Sequence, residues 1–196
     1  SKKAFKNLMD NLKYFDPKYS LHLFGLEKDF NLLSSLYIKK KLPNVLLLSG
    51  LKGCGKSTLV NHFLFSIFDE KNYDKKKFCL KDTSVLFKQF KDNIFQNILY
   101  VKGSDFKSIK IDDIRNLKSV IQKSSINNKD RFIILDDVEL FNINSLNALL
   151  KILEEPSKNN YFILIYNNAK FLLDTIKSRS LEIKIILSES ERIKII

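Results

Sequence analysis

Cysteine is scarce in this chain: Cys54 and Cys79 are the only two among 196 residues. Two cysteines make no disulfide framework, so a reducing, cytoplasmic setting is expected. Histidine is as rare. His22 and His62 stand far apart and leave no ligand set for a structural zinc site. Long apolar runs are missing. The longest, such as residues 45–48 and 162–166, fall far short of the roughly 18 residues a spanning helix needs, so no membrane is expected as a partner. No continuous apolar segment accompanies the early lysines of residues 1–10, and no secretory signal is expected there. Glycine numbers only five and arginine only four: Arg115, Arg131, Arg179 and Arg192.

What is present suits a folded protein. Hydrophobic residues make up 44% and charged residues 29%, and Ile, Leu, Phe and Val recur in periodic blocks, which excludes full disorder. The net charge is +12, an excess that attracts polyanions, nucleic acid foremost. The same excess also follows from a composition heavy in Lys, Asn, Ile, Phe and Tyr and poor in Ala and Gly. In such a chain a retained arginine points to a need for its planar five-donor fork.

Strand-like apolar blocks alternate with helix-period stretches. Residues 45–49, 97–102, 132–135, 161–166 and 181–186 read as strands. Residues 27–40, 56–69, 111–124 and 146–153 read as helices, the last stopped before Pro156. Continuous apolar strands in βαβ alternation predict an α/β fold, a five-stranded parallel sheet with helices on both faces. Residues 1–19 read as an N-terminal extension and 20–187 as the main domain. Within it, residues 70–92, rich in Lys and Asp, read as a variable surface insertion. Residues 188–196 look like the start of a further helix.

Gly50-Leu51-Lys52-Gly53-Cys54-Gly55-Lys56-Ser57-Thr58 fits the Walker A pattern, directly after a strand and opening a helix. Glycines at 53 and 55 let the backbone curl so that successive N–H groups face phosphate oxygens. The helix N-terminus adds its partial positive charge. Lys56 would reach the β/γ-phosphates, the Ser57 hydroxyl would ligate Mg²⁺, and Thr58 would sit beside the α-phosphate. Three of the five glycines, Gly50, Gly53 and Gly55, fall in this one loop. A plain glycine turn does not explain that concentration. Cys54 holds a variable position of the loop, where its side chain is expected to pack.

Phe132-Ile133-Ile134-Leu135-Asp136-Asp137 is an apolar strand ending in acids, the Walker B form. Asp136 would hold Mg²⁺ through its water shell. Asp137 stands where a general base for an attacking water is expected. Glu is usual there. Asp is one methylene shorter, which displaces the carboxylate by about 1 Å, and such a misplacement can cost about 100-fold in rate.

The next motif is more specific. Asp136-Asp137-Val138-Glu139 is followed by Asn147-Ala148-Leu149-Leu150-Lys151-Ile152-Leu153-Glu154-Glu155-Pro156. This closely resembles the bacterial clamp-loader subunits of DNA polymerase III. The resemblance continues at Thr175-Ile176-Lys177-Ser178-Arg179-Ser180, similar to the family's S-R-C motif with Ser180 in place of Cys, and at Phe24-Gly25-Leu26-Glu27, similar to its early G-x-E element. It runs from about residue 23 to the end. It implies an AAA+ ATPase module, with Asn167 as the polar sensor beside the nucleotide and Arg179 presented to a neighbouring subunit's ATP. The implied cofactors are ATP and Mg²⁺. The implied partners are other clamp-loader subunits in a hetero-oligomeric ring, the sliding clamp, and primed DNA held through backbone contacts. The family's helical lid and collar do not fit within 196 residues. A gamma/tau subunit usually carries four zinc-binding cysteines after the Walker A helix, where this chain has only Cys79. That absence, and residues 108–115, look more like the delta-prime type, whereas Asp136-Asp137-Val138 is nearer the gamma/tau form. Three functions compete: an ATP-binding clamp-loader subunit with slow turnover, a non-hydrolysing structural subunit that lends Arg179 to a neighbour, and an unrelated P-loop enzyme.

Overall fold

The computed structural model describes residues 16–105, 114, 116, 119, 121, 129–156, 159–188 and 191. Most of the predicted N-terminal extension and of residues 188–196 lies outside these, as do Arg115 and Arg192 and most of the stripe over 111–124. Contacts divide the chain into two compact units, one of residues 1–39, 55–94 and 187–196, the other of residues 40–54 and 95–186.

The second unit holds the sheet. Its strands are β1 (Val45–Ser49), β4 (Ile98–Lys102), β5 (Arg131–Asp136), β6 (Asn160–Tyr166) and β7 (Leu181–Lys184), in the order β4-β5-β6-β1-β7. Every pairing is parallel. β1 and β5 are buried at each position, and residues 45–48 and 132–135 within them read as unbroken apolar runs. Leu47, Ile133, Leu135, Phe162 and Leu164 share one core cluster with Leu146, Leu149, Ile152 and Leu153 of helix α4 (Ile143–Glu154). Ile114 and Ile121, both helical, join the same cluster. The residues alternating with these on the strands, Leu46, Leu48, Ile134, Ile163 and Ile165, are also fully buried. α4 begins where the Asn142 side chain accepts from the Ser145 N–H at 2.8 Å, a side-chain cap. A short helix, α5 (Asp174–Lys177), precedes β7.

The first unit is built on helices α1 (Glu27–Ile38), α2 (Lys56–Phe68) and α3 (Val85–Lys91). α2 is buried almost all round, as its run of apolar residues requires. The stretch read as a variable surface insertion holds regular structure. It forms a two-stranded hairpin, β2 (Tyr73–Asp74) with β3 (Cys79–Leu80), followed by α3. Tyr73, Leu80, Leu86, Phe87 and Phe90 from it are buried. Phe65 of α2 meets the edges of Phe87 and Phe90 at 5.9 and 5.1 Å between ring centroids. The lysines and aspartates stay outside while the aromatics turn inward. Ser188 and Glu191 cap each other: Glu191 Oε2 accepts from the Ser188 N–H at 2.9 Å, and Ser188 Oγ from the Glu191 N–H at 3.3 Å.

Candidate functional site

β1 ends at Ser49, and the glycine loop follows. Gly50 has φ 154, and a Cβ there would lie 2.4 Å from the Ile185 carbonyl oxygen, so a side chain does not fit. Gly55, at φ 90, caps α2 in the left-handed region, and a Cβ on it would meet Leu26 at 2.9 Å. Gly53 has φ 80 and open space around it. Its glycine answers to backbone conformation alone. Lys56, Ser57 and Thr58 form the first turn of α2, and Lys56 is buried. Cys54 is buried with Sγ 3.9 Å from the Ile185 carbonyl, and its N–H donates to the Leu51 carbonyl at 3.3 Å. Upstream, the Gly25 N–H donates to the Glu27 carboxylate at 3.0 Å, a local loop within the G-x-E element.

The acids sit at the C-terminal end of β5, all in the second unit. Asp136 and Asp137 are both buried. Asp136 accepts from the Tyr100 hydroxyl through Oδ2 and from the Asp137 N–H through Oδ1 at 2.8 Å. Asp137 takes φ 52, left-handed backbone that Asp and Asn tolerate best. Its Oδ1 accepts from Asn167 Nδ2 at 2.7 Å. Its Oδ2 is buried and has no hydrogen-bond partner among the described residues. Asn167, the polar sensor that the resemblance implies, is thus in contact with the expected base. Asn168, the next amide, has φ 56. Two residues of the cluster were not singled out from the sequence. Tyr100 lies 36 residues from Asp136, and Glu139 accepts the Asn167 N–H across 28 residues. Glu139 closes the Asp136-Asp137-Val138-Glu139 stretch that follows the Walker B strand, and that place was its hint in the sequence.

Arg179 is engaged within its own chain. Its Nη2 donates to Glu154 Oε1 at 2.8 Å, and its Nη1 to the Thr175 carbonyl at 2.9 Å. The acid it pairs with closes α4 in the Asn147–Pro156 motif. It is not the neighbouring Asp174, the acid that spacing alone brings to mind.

The fold and these acids can be set beside known proteins. A family model described as DNA polymerase III, delta subunit, matches residues 25–188. The chain belongs to this family. The DNA polymerase III subunit gamma of Buchnera aphidicola (subsp. Acyrthosiphon pisum) is 25% identical over 179 residues, 90% of this chain and 48% of that protein. The subunit delta' of Pseudomonas aeruginosa is 37% identical over 76 residues, 39% of this chain and 23% of that one. The chain therefore spans about half the length, or less, of these curated relatives. Among solved structures, a DNA polymerase III gamma subunit-related protein from Thermotoga maritima has a TM-score of 0.53 at 22% identity, over 83% of this chain and 47% of that one. The RuvB Holliday junction branch migration motor of the same organism has a TM-score of 0.52 at 16% identity, over 87% and 48%. These two likenesses show the fold: a five-stranded parallel sheet with helices, shared with both proteins. Among the described residues, no helix is long and apolar enough to cross a membrane.

Proposed function

We propose that this DNA polymerase III family chain is the ATP-binding module of a clamp-loader subunit, which helps place a sliding clamp on primed DNA. The observation that carries the proposal is the glycine loop: three glycines in left-handed conformations, between the end of β1 and the N-terminus of α2. A loop built this way costs conformational entropy and gains nothing in packing at Gly53, which has open space around it. That cradle fits a nucleotide's phosphates. Gly50, Gly53, Cys54, Gly55, Lys56, Ser57 and Thr58 would hold the phosphates, and Ser57 and Asp136 the Mg²⁺, which supplies charge neutralisation when bound. Asp137, with one buried oxygen open, would accept a proton from water. Asn167 holds the other oxygen and orients the carboxylate. Arg179 would leave Glu154 to meet a neighbouring subunit's ATP. The delta-prime type is favoured over gamma/tau by the lack of a cysteine quartet after α2. The net charge of +12 supports DNA contact through phosphates, without base reading.

A second reading, a subunit that binds ATP without turning it over, is favoured by one observation: the shortened base is already tied to Asn167. Both readings require nucleotide. Lys56→Ala in the full-length protein should weaken Mg-ATP binding at least tenfold by calorimetry, about 1.4 kcal/mol. Equal affinity for wild type and variant would refute the proposal. An ATPase assay on the assembled complex then separates the two readings.

A further inference from the structure

Glu139 has no part in the motif roles above, yet one oxygen of its buried carboxylate is closely held, while Oε2 has no hydrogen-bond partner among the described residues. The residue lies in the short 3-10 turn Val138–Leu140 and is 5% exposed. Burying a carboxylate is costly unless hydrogen bonds replace water, so such a group needs a reason to be there. Oε1 accepts two backbone N–H groups, from Asn167 at 3.0 Å and from Ala169 at 3.2 Å. Between these donors stands Asn168 in the left-handed region. That conformation turns neighbouring N–H groups toward one point, the concave arrangement that commonly binds an anion. Here the anion is the chain's own side chain. Asn167 is therefore held at two places by two acids two residues apart. Its N–H is on Glu139, and its side-chain amide is on Asp137 at 2.7 Å.

We infer that Glu139 is a positioning residue: by fixing the loop after β6 it aims the Asn167 amide at Asp137 and leaves Asp137 Oδ2 as the open acceptor. The inference rests on the reading of Asp137 as the base. Its geometric half can be tested without that reading. An apolar side chain at 139 would leave two N–H groups of the loop without their acceptor and free the loop to drift. Gln would keep one oxygen in reach of both. Asp would withdraw the oxygen by one methylene.

The test uses ¹⁵N-labelled full-length protein. The Asn167 side-chain amide signal is assigned by its loss in Asn167→Ala. Glu139→Ala should move this signal to the position of a solvated amide, as Asp137→Ala does. Glu139→Gln should restore it. If the alanine variant fails to fold, Glu139→Asp reads the same signal. In the assembled complex, Glu139→Ala should lower kcat by about 10- to 100-fold, with ATP affinity within about twofold of wild type. Adding Asn167→Ala should cost little more, because both changes break one link. An unmoved Asn167 signal in folded Glu139→Ala or Glu139→Asp protein would overturn the inference. A wild-type complex without ATPase activity would refute the base role of Asp137, while the Asn167 signal would still decide the geometry.

Discussion

Asp137 shows how a single residue answers to backbone and chemistry together. Its side chain is one methylene shorter than the usual Glu, which by spacing alone predicts that Asp137→Glu speeds hydrolysis. The structure adds an opposing term. The residue is left-handed at φ 52, and Oδ1 is bonded to Asn167. A longer acid loses the local tolerance of Asp for that backbone, a region that costs L-residues about 1–2 kcal/mol. Asp137→Glu is therefore expected to melt at a lower temperature and to gain no rate in the assembled complex. Asp137→Asn fits the same backbone and can still accept from Asn167, so it should melt near wild type and lose turnover. Thermal melts and an ATPase assay check both, and a faster, equally stable Glu variant would contradict the expectation. The loop glycines differ in the same spirit. Gly50→Ala puts a Cβ 2.4 Å from backbone oxygen, whereas Gly53→Ala meets nothing within 4 Å. In urea denaturation the first should lose clearly more stability than the second, whose cost is the φ strain of about 1–3 kcal/mol.

At the scale of elements, His62 ties α2 to the β2–β3 hairpin. Its ring is fully buried, and Nδ1 lies 3.0 Å from the Tyr73 hydroxyl. Burial pushes its pKa down to about 4, opposed by the Ser20 backbone carbonyl and reinforced by His22. The unfolded chain takes up this proton below pH 6.5, while the folded chain resists it until about 4. Between these values the unfolded state binds more protons, so stability rises with pH. The contribution is complete above pH 6.5 and is lost as pH falls toward 4. The loss amounts to about 3 kcal/mol. Urea melts from pH 7.5 to 4 should show this slope, and His62→Phe should flatten it. Equal slopes would mean that other groups govern acid unfolding. In the same stretch Tyr73 and Leu80 are buried among exposed lysines and aspartates, while Leu86, Phe87 and Phe90 form the buried face of α3.

At the scale of the whole molecule, Arg179 is the residue whose proposed role depends on assembly. In the single chain its guanidinium is held by Glu154 and the Thr175 carbonyl. Both Arg179 and Glu154 are partly exposed, so the pair adds at most about 1 kcal/mol to stability. Arg179→Ala is thus expected to leave folding and this chain's own ATP affinity intact, and to cut the ring's ATPase rate and clamp loading. Arg179→Lys should rescue little, since a point charge lacks the fork. Glu154→Gln removes the competing charge and should not slow the ring. Full activity of the Arg179→Ala ring would refute a role in trans, and a slowed Glu154→Gln ring would mean that the pair itself is needed.

Sequence by itself determined the parts whose cause is local. β1, β5 and β6 were legible because their central residues, 45–48, 132–135 and 162–165, are buried and apolar without a break. The loop was legible because Gly50 and Gly55 hold conformations or spaces that a side chain cannot share. The five-stranded parallel sheet followed from the alternation of such strands with helical stretches. Tertiary structure alone decided which polar groups meet. Tyr100 with Asp136, Glu139 with Asn167, and Glu154 with Arg179 join residues 36, 28 and 25 positions apart. None of these pairs is local along the chain, so no periodicity encodes them; Tyr100 reaches Asp136 because β4 pairs with β5. The first two arise because parallel strands bring their C-terminal ends to one edge of the sheet; the third joins the end of α4 to the turn that enters β7.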